Sequence, residues 1–242
     1  MNPSVRQSHK PVPAKFATFA LLLLAACAPA PAARVSVVQP TEPPTYYPHA
    51  TGSAWRYLPE GEAEDAPALE HRVLGPTVIG GERLTEWRAT GRGLETRTYR
   101  IYDETGVYIP RETGPGYVTT ISPPIREWPR AGTLNVGSSW GGDAVATVTF
   151  TEADAREEVR LEYRFEVVDR RPVETPAGTF DVFVIAFESR SVGPEQGTGE
   201  TLRQEVWFEP FIGEIRTDNA LFLLETNVSA ADVTAPETPE TP

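Results

Sequence analysis

The chain has 242 residues, 34 of them acidic and 22 Lys or Arg, for a formal net charge of −12, and it holds one cysteine. A body this acidic repels phosphate backbones and anionic headgroups, which argues against nucleic-acid binding or charge-driven attachment to a membrane surface. A lone cysteine excludes an intrachain disulfide framework.

Residues 1–26 carry Arg6, His9, Lys10 and Lys15 and no acidic side chain, and Phe16 to Ala26 is apolar except for Thr18. A basic stretch followed by a short apolar run is a secretory signal. At about 1.5 Å of helix per residue, the run covers only roughly half of a bilayer core, so it does not span. It ends Leu24-Ala25-Ala26-Cys27, which resembles the bacterial lipobox: an aliphatic residue and two small ones before a cysteine. That resemblance implies cleavage between Ala26 and Cys27 and a diacylglycerol thioether on the Cys27 sulfur. Two or more acyl chains on one residue give stable anchoring. The alternative is an ordinary signal cut at Ala28, Ala30, Ala32 or Ala33, with Cys27 discarded. Loss of residues 1–26 removes three cations and no acid, which takes the net charge from −12 to −15 and leaves Arg as the sole Lys/Arg cation.

Residues 27–48 form the lipidated cysteine and a Pro/Ala-rich tether, extended at about 3 Å per residue. Residues 232–242, ending TAPETPETP, have nothing to bury and read as a disordered tail. Between them, 49–231 reads as a single all-β domain. Its strands in order are Gly52–Leu58, Leu69–Ile79, Glu82–Thr90, Leu94–Tyr102, Gly106–Ile109, Tyr117–Ser122, Ala144–Glu152, Val159–Val167, Phe180–Phe187, Leu202–Glu209, Gly213–Thr217 and Leu221–Ser229. Val159, Leu161, Tyr163, Phe165 and Val167 share one face against Arg160, Glu162, Arg164 and Glu166, so that strand has one wet side. Phe180–Phe187 is apolar on both faces and reads as a central, doubly covered strand. Short strands with regular turn signals indicate an antiparallel sheet, sandwich or barrel. The Pro-rich link Ser122 to Pro129 divides the domain. Gly52-Ser53-Ala54-Trp55 echoes Gly137-Ser138-Ser139-Trp140, which suggests two related halves.

The phrases YPHATGSAWRYL, LNVGSSW, VETPAGTFDVFVIAFES and EVWFEPFIGEIRT resemble the TapB-like family of bacterial lipoproteins across most of residues 48–229. The matching positions are Trp140, Pro176-Ala177-Gly178-Thr179-Phe180, and Trp207-Phe208 through Pro210 and Gly213. The chain departs from the pattern at Phe211, where glycine is usual, and at Thr175, where valine is. The resemblance implies a fold related to the LolA/LolB carriers: a strongly curved antiparallel sheet forming an incomplete barrel or β-roll. It also implies a concave side that takes lipid or another hydrophobic ligand.

Chemistry is sparse. His49 and His71 are the only histidines of the mature chain. Nucleophilic catalysis needs a base beside the nucleophile, and zinc needs three or four ligands. We therefore expect no enzyme, cofactor or metal site. The acidic runs Glu60–Asp65 and Asp154–Glu158 lack the spacing of a calcium loop. Aromatics on the expected strands (Trp87, Tyr99, Tyr163, Phe165, Phe183, Trp207) fit either a core or the wall of a concave apolar pocket. The preferred function is an exported lipoprotein held by Cys27 at the cell membrane or outer membrane. Its β domain is a non-catalytic binding module for an apolar ligand or an envelope partner. The alternatives are a structural or assembly accessory of an envelope complex with no ligand cavity, and a hydrolase with a dispersed carboxylate pair.

Cells fed radiolabelled palmitate should incorporate label into the wild-type protein and none into Cys27→Ser. Unlabelled wild-type protein that fractionates away from membranes would contradict the anchor.

Overall fold

The computed structural model describes residues 46–153, 155–192 and 199–229. Ala26, Cys27, most of the tether and the C-terminal tail lie outside the described residues. The described part is built from twelve strands: β1 (Ala54–Pro59), β2 (Leu69–Ile79), β3 (Glu82–Gly91), β4 (Leu94–Asp103), β5 (Gly106–Gly114), β6 (Tyr117–Pro129), β7 (Ser139–Phe150), β8 (Ala155–Thr175), β9 (Gly178–Val192), β10 (Thr201–Glu209), β11 (Gly213–Arg216) and β12 (Leu221–Thr226). Among the described residues there is no α-helix. Each strand pairs antiparallel with its neighbours in sequence, and β1 pairs with both β2 and β12. The curved antiparallel sheet expected from the sequence is present, and its two ends join into a closed barrel.

Period-two patterning explains where the sides of the wall lie. On β8, Tyr163 and Val167 are buried and Phe165 half-buried, whereas Arg160, Glu162 and Arg164 are exposed. The exposed charges meet opposite charges on β9, with Glu162 across from Arg190 and Arg164 across from Glu188. Such cross-strand pairs favour one register over a slipped one. On β9, four successive residues from Val182 to Ile185 are buried, so this strand is apolar on both faces between β8 and β10. The Pro-rich stretch 122–129 behaves differently from the divider expected of it. It continues β6 to Pro129, with register shifts against β5 on either side of Ile109 that absorb the irregular backbone.

The Gly-Ser-x-Trp echo is structural. The Gly52 amide donates to Val73 O, the Val73 amide to Ser53 O, and the Ser53 amide to Ala50 O, at 2.9–3.0 Å. In the second half Gly137 donates to Val167 O, Val167 to Ser138 O, and Ser138 to Asn135 O, at 2.8–2.9 Å. Gly52 and Gly137 adopt φ of 90° and 91°, a left-handed turn that only glycine enters cheaply. A register shift follows each valine, after Val73 and after Val167. The starts of β1 and β7 thus share one arch geometry.

Each arch delivers a tryptophan inward. Trp55 is 2% exposed, and its indole N–H donates to Ile212 O at 2.7 Å, tying β1 to the β10–β11 turn. Trp140 donates to Arg126 O at 3.1 Å. Replacing Trp55 by Phe keeps a ring but leaves a buried carbonyl unpaired, which costs about 1–3 kcal/mol. Urea unfolding of Trp55→Phe should show a lower midpoint with an unchanged slope.

Candidate functional site

The chain enters the barrel at the end that carries both arches. Tyr47 is buried, and its ring lies within 5.0–6.4 Å of the rings of Trp128 on β6, Phe208 on β10, Trp87 on β3 and Tyr102 on β4. Strands β4 and β10 stand on opposite sides of the barrel, so one side chain can meet both only from within. The segment Tyr46–Ala50 is therefore a plug. It is held partly by the backbone bond from the Phe211 amide to Tyr46 O at 3.0 Å.

Beneath the plug sits a polar group enclosed by aromatic rings. Arg100 and Glu127 form a two-point ion pair at 2.6 and 2.7 Å, with side chains 9% and 15% exposed. The guanidinium lies 4.5 Å from the Trp87 ring and 5.7 Å from the Tyr47 ring, a cation–π arrangement on top of the ion pair. Tyr47 OH reaches Glu214 Oε1 at 3.4 Å, and Tyr57 OH donates to Glu214 O at 3.1 Å. Burial, with Glu127 and Asp218 adding negative charge nearby, pushes the Glu214 carboxyl up to about 8. Burial and then the Arg100 charge hold the His71 imidazole down at about 4. Burial also raises Tyr47, Tyr57 and Tyr102 above the usual phenol range. Glu214 and His71 are thus both neutral near pH 7. The void left among Tyr47, Tyr57, His71 and Glu214 is about 10 Å³, at most room for one water. This part of the lumen is core.

The usable space lies above it. A cleft of about 350 Å³ opens at the mouth. Tyr46, Tyr47 and His49 form one wall, and Tyr102, Val107, Pro129 and Ala131 face them, with Asp103 at the rim. His49 stacks on Tyr102 with centroids 4.1 Å apart. Asp103 is held in place because its Oδ1 accepts from the Thr105 amide, the Thr105 hydroxyl and the Gly106 amide. Those bonds lower its pKa, so it stays ionised. The cleft is open to solvent, and its volume lies within the range of small-molecule sites, with Tyr46, Tyr47, His49 and Tyr102 supplying its rings.

None of the six aromatics expected on an apolar face lines this cleft. Trp87 stacks on Trp55 and donates to Tyr102 OH at 3.1 Å. Tyr99 is buried in the wall. Tyr163 OH accepts the Arg126 amide, and Phe165 stacks between Trp140 and Phe187. Arg170 lies over Phe183, and Arg171 and Arg216 lie over Trp207. Three of its nine lining residues, Tyr46, Tyr47 and His49, instead lie just before β1; the tyrosine pair Tyr46-Tyr47, set among prolines and threonines, was the available signal. Among the described residues no group of three or more His, Cys, Asp or Glu is placed to hold a metal. In the first acidic run, Glu62 makes a two-point pair with Arg92 at 2.9 and 3.1 Å.

No protein-family model matches the chain, and no curated protein matches it, so the TapB-like resemblance gains no support from sequence comparison. Two solved structures are similar in fold. One is a lipoprotein candidate from Parabacteroides distasonis, at TM-score 0.47 and 13% identity, covering 76% of this chain and 99% of that one. The other is an exported-protein candidate with a YmcC-like fold from Bacteroides fragilis, at TM-score 0.43 and 15% identity, with the same coverage.

The two neutral buried groups set a pH profile. A carboxyl raised to about 8 contributes stability that is full below the unfolded value near 4.5 and drains as pH rises to 8. An imidazole lowered to about 4 contributes stability that is full above 6.5 and drains as pH falls to 4. The slopes oppose each other between 4.5 and 6.5, and only the Glu214 slope remains above 6.5. The contribution of these two groups to unfolding free energy should therefore be level from about pH 4.5 to 6.5 and then fall by about 2 kcal/mol by pH 8. Glu214→Gln should remove the alkaline fall, as read by denaturant titrations at each pH.

Proposed function

We propose that the protein is an exported lipoprotein, anchored through Cys27 to an envelope membrane, whose barrel is a non-catalytic binding module for a small apolar ligand. The observation that carries this is the aromatic cleft at the mouth. It is concave, half-walled by tyrosine rings, and separated from a barrel interior that is already filled. The ligand position therefore shifts from the concave face of the sheet to the rim beside the tether. In this reading the wall strands hold the mouth rigid, and the acidic exterior keeps the domain off anionic headgroups while the lipid holds it near them. Apolar contact supplies the affinity, and the Asp103 rim discriminates against anionic ligands.

The test uses the full mature chain carrying Cys27→Ser, which has tether and barrel but no acyl chains, and the neutral fluorescent probe N-phenyl-1-naphthylamine. One probe per chain should bind, and Ala131→Trp, which fills the cleft from an exposed loop, should weaken binding at least tenfold. Binding that is absent, or indifferent to Ala131→Trp, would end the proposal. Native mass spectrometry of the wild-type protein from its own host should then show the natural occupant as added mass.

A further inference from the structure

A net charge of −12 conceals one stretch of wall with the opposite sign. Trp87 belongs to the core, so Glu86 and Arg88 beside it on β3 point outward. Arg88 stands directly across from Arg72 on β2 and from Arg97 on β4. Like charges placed opposite each other in an antiparallel pair destabilise it, and here three follow in a row. The two outer members are each neutralised, Arg72 by Glu70 at 2.8 Å and Arg97 by Glu86 at 2.7 Å. Arg88, in the middle, has no acidic partner among the described residues.

Tyr99 on β4 lies across from Glu86 and from Arg111 on β5, so all three share that outer face. Tyr99 is 8% exposed although it faces outward, so the stems of its neighbours cover it. That accounts for long side chains beside the ring. It does not account for bare guanidinium groups in a chain with 34 acidic residues against 22 Lys and Arg. Arg111, like Arg88, makes no ion pair or side-chain hydrogen bond among the described residues, and the Nε of each is buried without a partner. A buried donor left unpaired is costly and points to a missing acceptor. Neighbouring strands lie about 4.8 Å apart, which sets β3 and β5 about 10 Å apart across β4. Two arginine side chains can close that span over one compact anion. Thr120 on β6, across from Arg111, adds an exposed hydroxyl.

We propose that the outer wall of β3–β5 is an oxyanion site, in which Arg88 and Arg111 hold the phosphate group of a small soluble ligand above Tyr99. The guanidinium fork matches phosphate with two parallel N–H···O bonds, and hydrogen bonds between charged groups are the strong ones. Phosphate carries the charge that the arginine row lacks, so binding relieves the repulsion between Arg88 and its two neighbours. The site lies outside the barrel, on the other face of the wall from the lumen, and owes nothing to the cleft at the mouth. The acidic remainder of the surface repels extended polyanions. The occupant is therefore compact, and neither a nucleic acid nor an anionic bilayer.

The test uses the mature chain carrying Cys27→Ser and inorganic phosphate, exchanged against chloride at constant ionic strength, with the arginine Nε–H signals followed by NMR. Phosphate should shift the Arg88 and Arg111 signals saturably and raise the thermal midpoint by mass action. Arg88→Gln and Arg111→Gln should each weaken binding about tenfold, the loss of one charge-assisted hydrogen bond. Arg160→Gln removes the same charge from an exposed position on β8 and should leave binding unchanged. Without phosphate, Arg88→Gln should keep or raise the midpoint, because it takes a like charge out of the row. Equal weakening in all three variants reduces the effect to general attraction and overturns the site, and so do signals that never saturate. A midpoint lowered by several degrees in Arg88→Gln marks the residue as a cover for Tyr99 and overturns it as well. Phosphatidylglycerol vesicles supply the lipid source of phosphate. Pelleting with them that depends on Arg88 and Arg111, without a saturable response to free phosphate, overturns the soluble ligand in favour of a membrane surface.

Discussion

A closed barrel of twelve strands is wider than its own wall side chains can fill. Eight strands leave a space that side chains just occupy, and sixteen or more leave a channel. Twelve lies between, and empty apolar space is costly. Much of this structure follows from how that space is filled. The two Gly-Ser-x-Trp arches drive Trp55 and Trp140 inward, Trp87 and Trp128 enter from β3 and β6, and Phe208 enters from β10. Even these rings leave a gap at the centre, and Tyr47 closes it from the chain that precedes β1. Six further residues of wall in each strand would not do the same, because the missing volume lies on the barrel axis.

Filling a lumen with a tyrosine brings a polar atom to the middle, and the surrounding charges answer it. Arg100 is kept inside by the two-point pair with Glu127 and by the faces of Trp87 and Tyr47 on its guanidinium. Two charges buried together repay their desolvation only when the geometry is this complete. Glu214 stands on the far side of the tyrosine without a matching cation of its own, and it resolves the conflict by staying protonated. The interior is therefore a set of neutral groups around one tight ion pair, which is why its stability depends on pH in the alkaline direction although the protein as a whole is acidic.

The wall was legible in the sequence. Alternation on β8, the double-faced apolar run on β9 and the glycine turns between strands place all twelve strands, because each depends on residues within a few positions of one another. The Gly-Ser-x-Trp echo likewise marked the two arches, since Gly52 and Gly137 adopt the same left-handed turn. The stretch 122–129 misled because proline reads as a breaker; here it belongs to a strand whose register shifts take up the irregularity. The interior was not legible. That Arg100 would turn inward to Glu127, or that Tyr47 would leave the tether and lie against four strands, depends on contacts separated by up to 167 residues, and no local period encodes them. The cleft inherits that limit, because one of its walls is the segment that composition assigned to the tether.

Phe211 carries a backbone cost that its turn alone does not require. A left-handed backbone at a bulky residue costs roughly 1–2 kcal/mol, and glycine at that position would avoid the cost. A turn that only had to connect β10 to β11 has no reason to keep the aromatic ring. A turn that also had to hold the incoming chain does, because the ring and the amide of Phe211 meet the two parts of Tyr46 that a strand ladder would otherwise have to secure. The strain is local and the return is at the mouth, where the tether, the cleft and the filled lumen meet. If the barrel had been narrow enough for its wall to fill, the plug would not have been needed, and the cleft it walls would not exist.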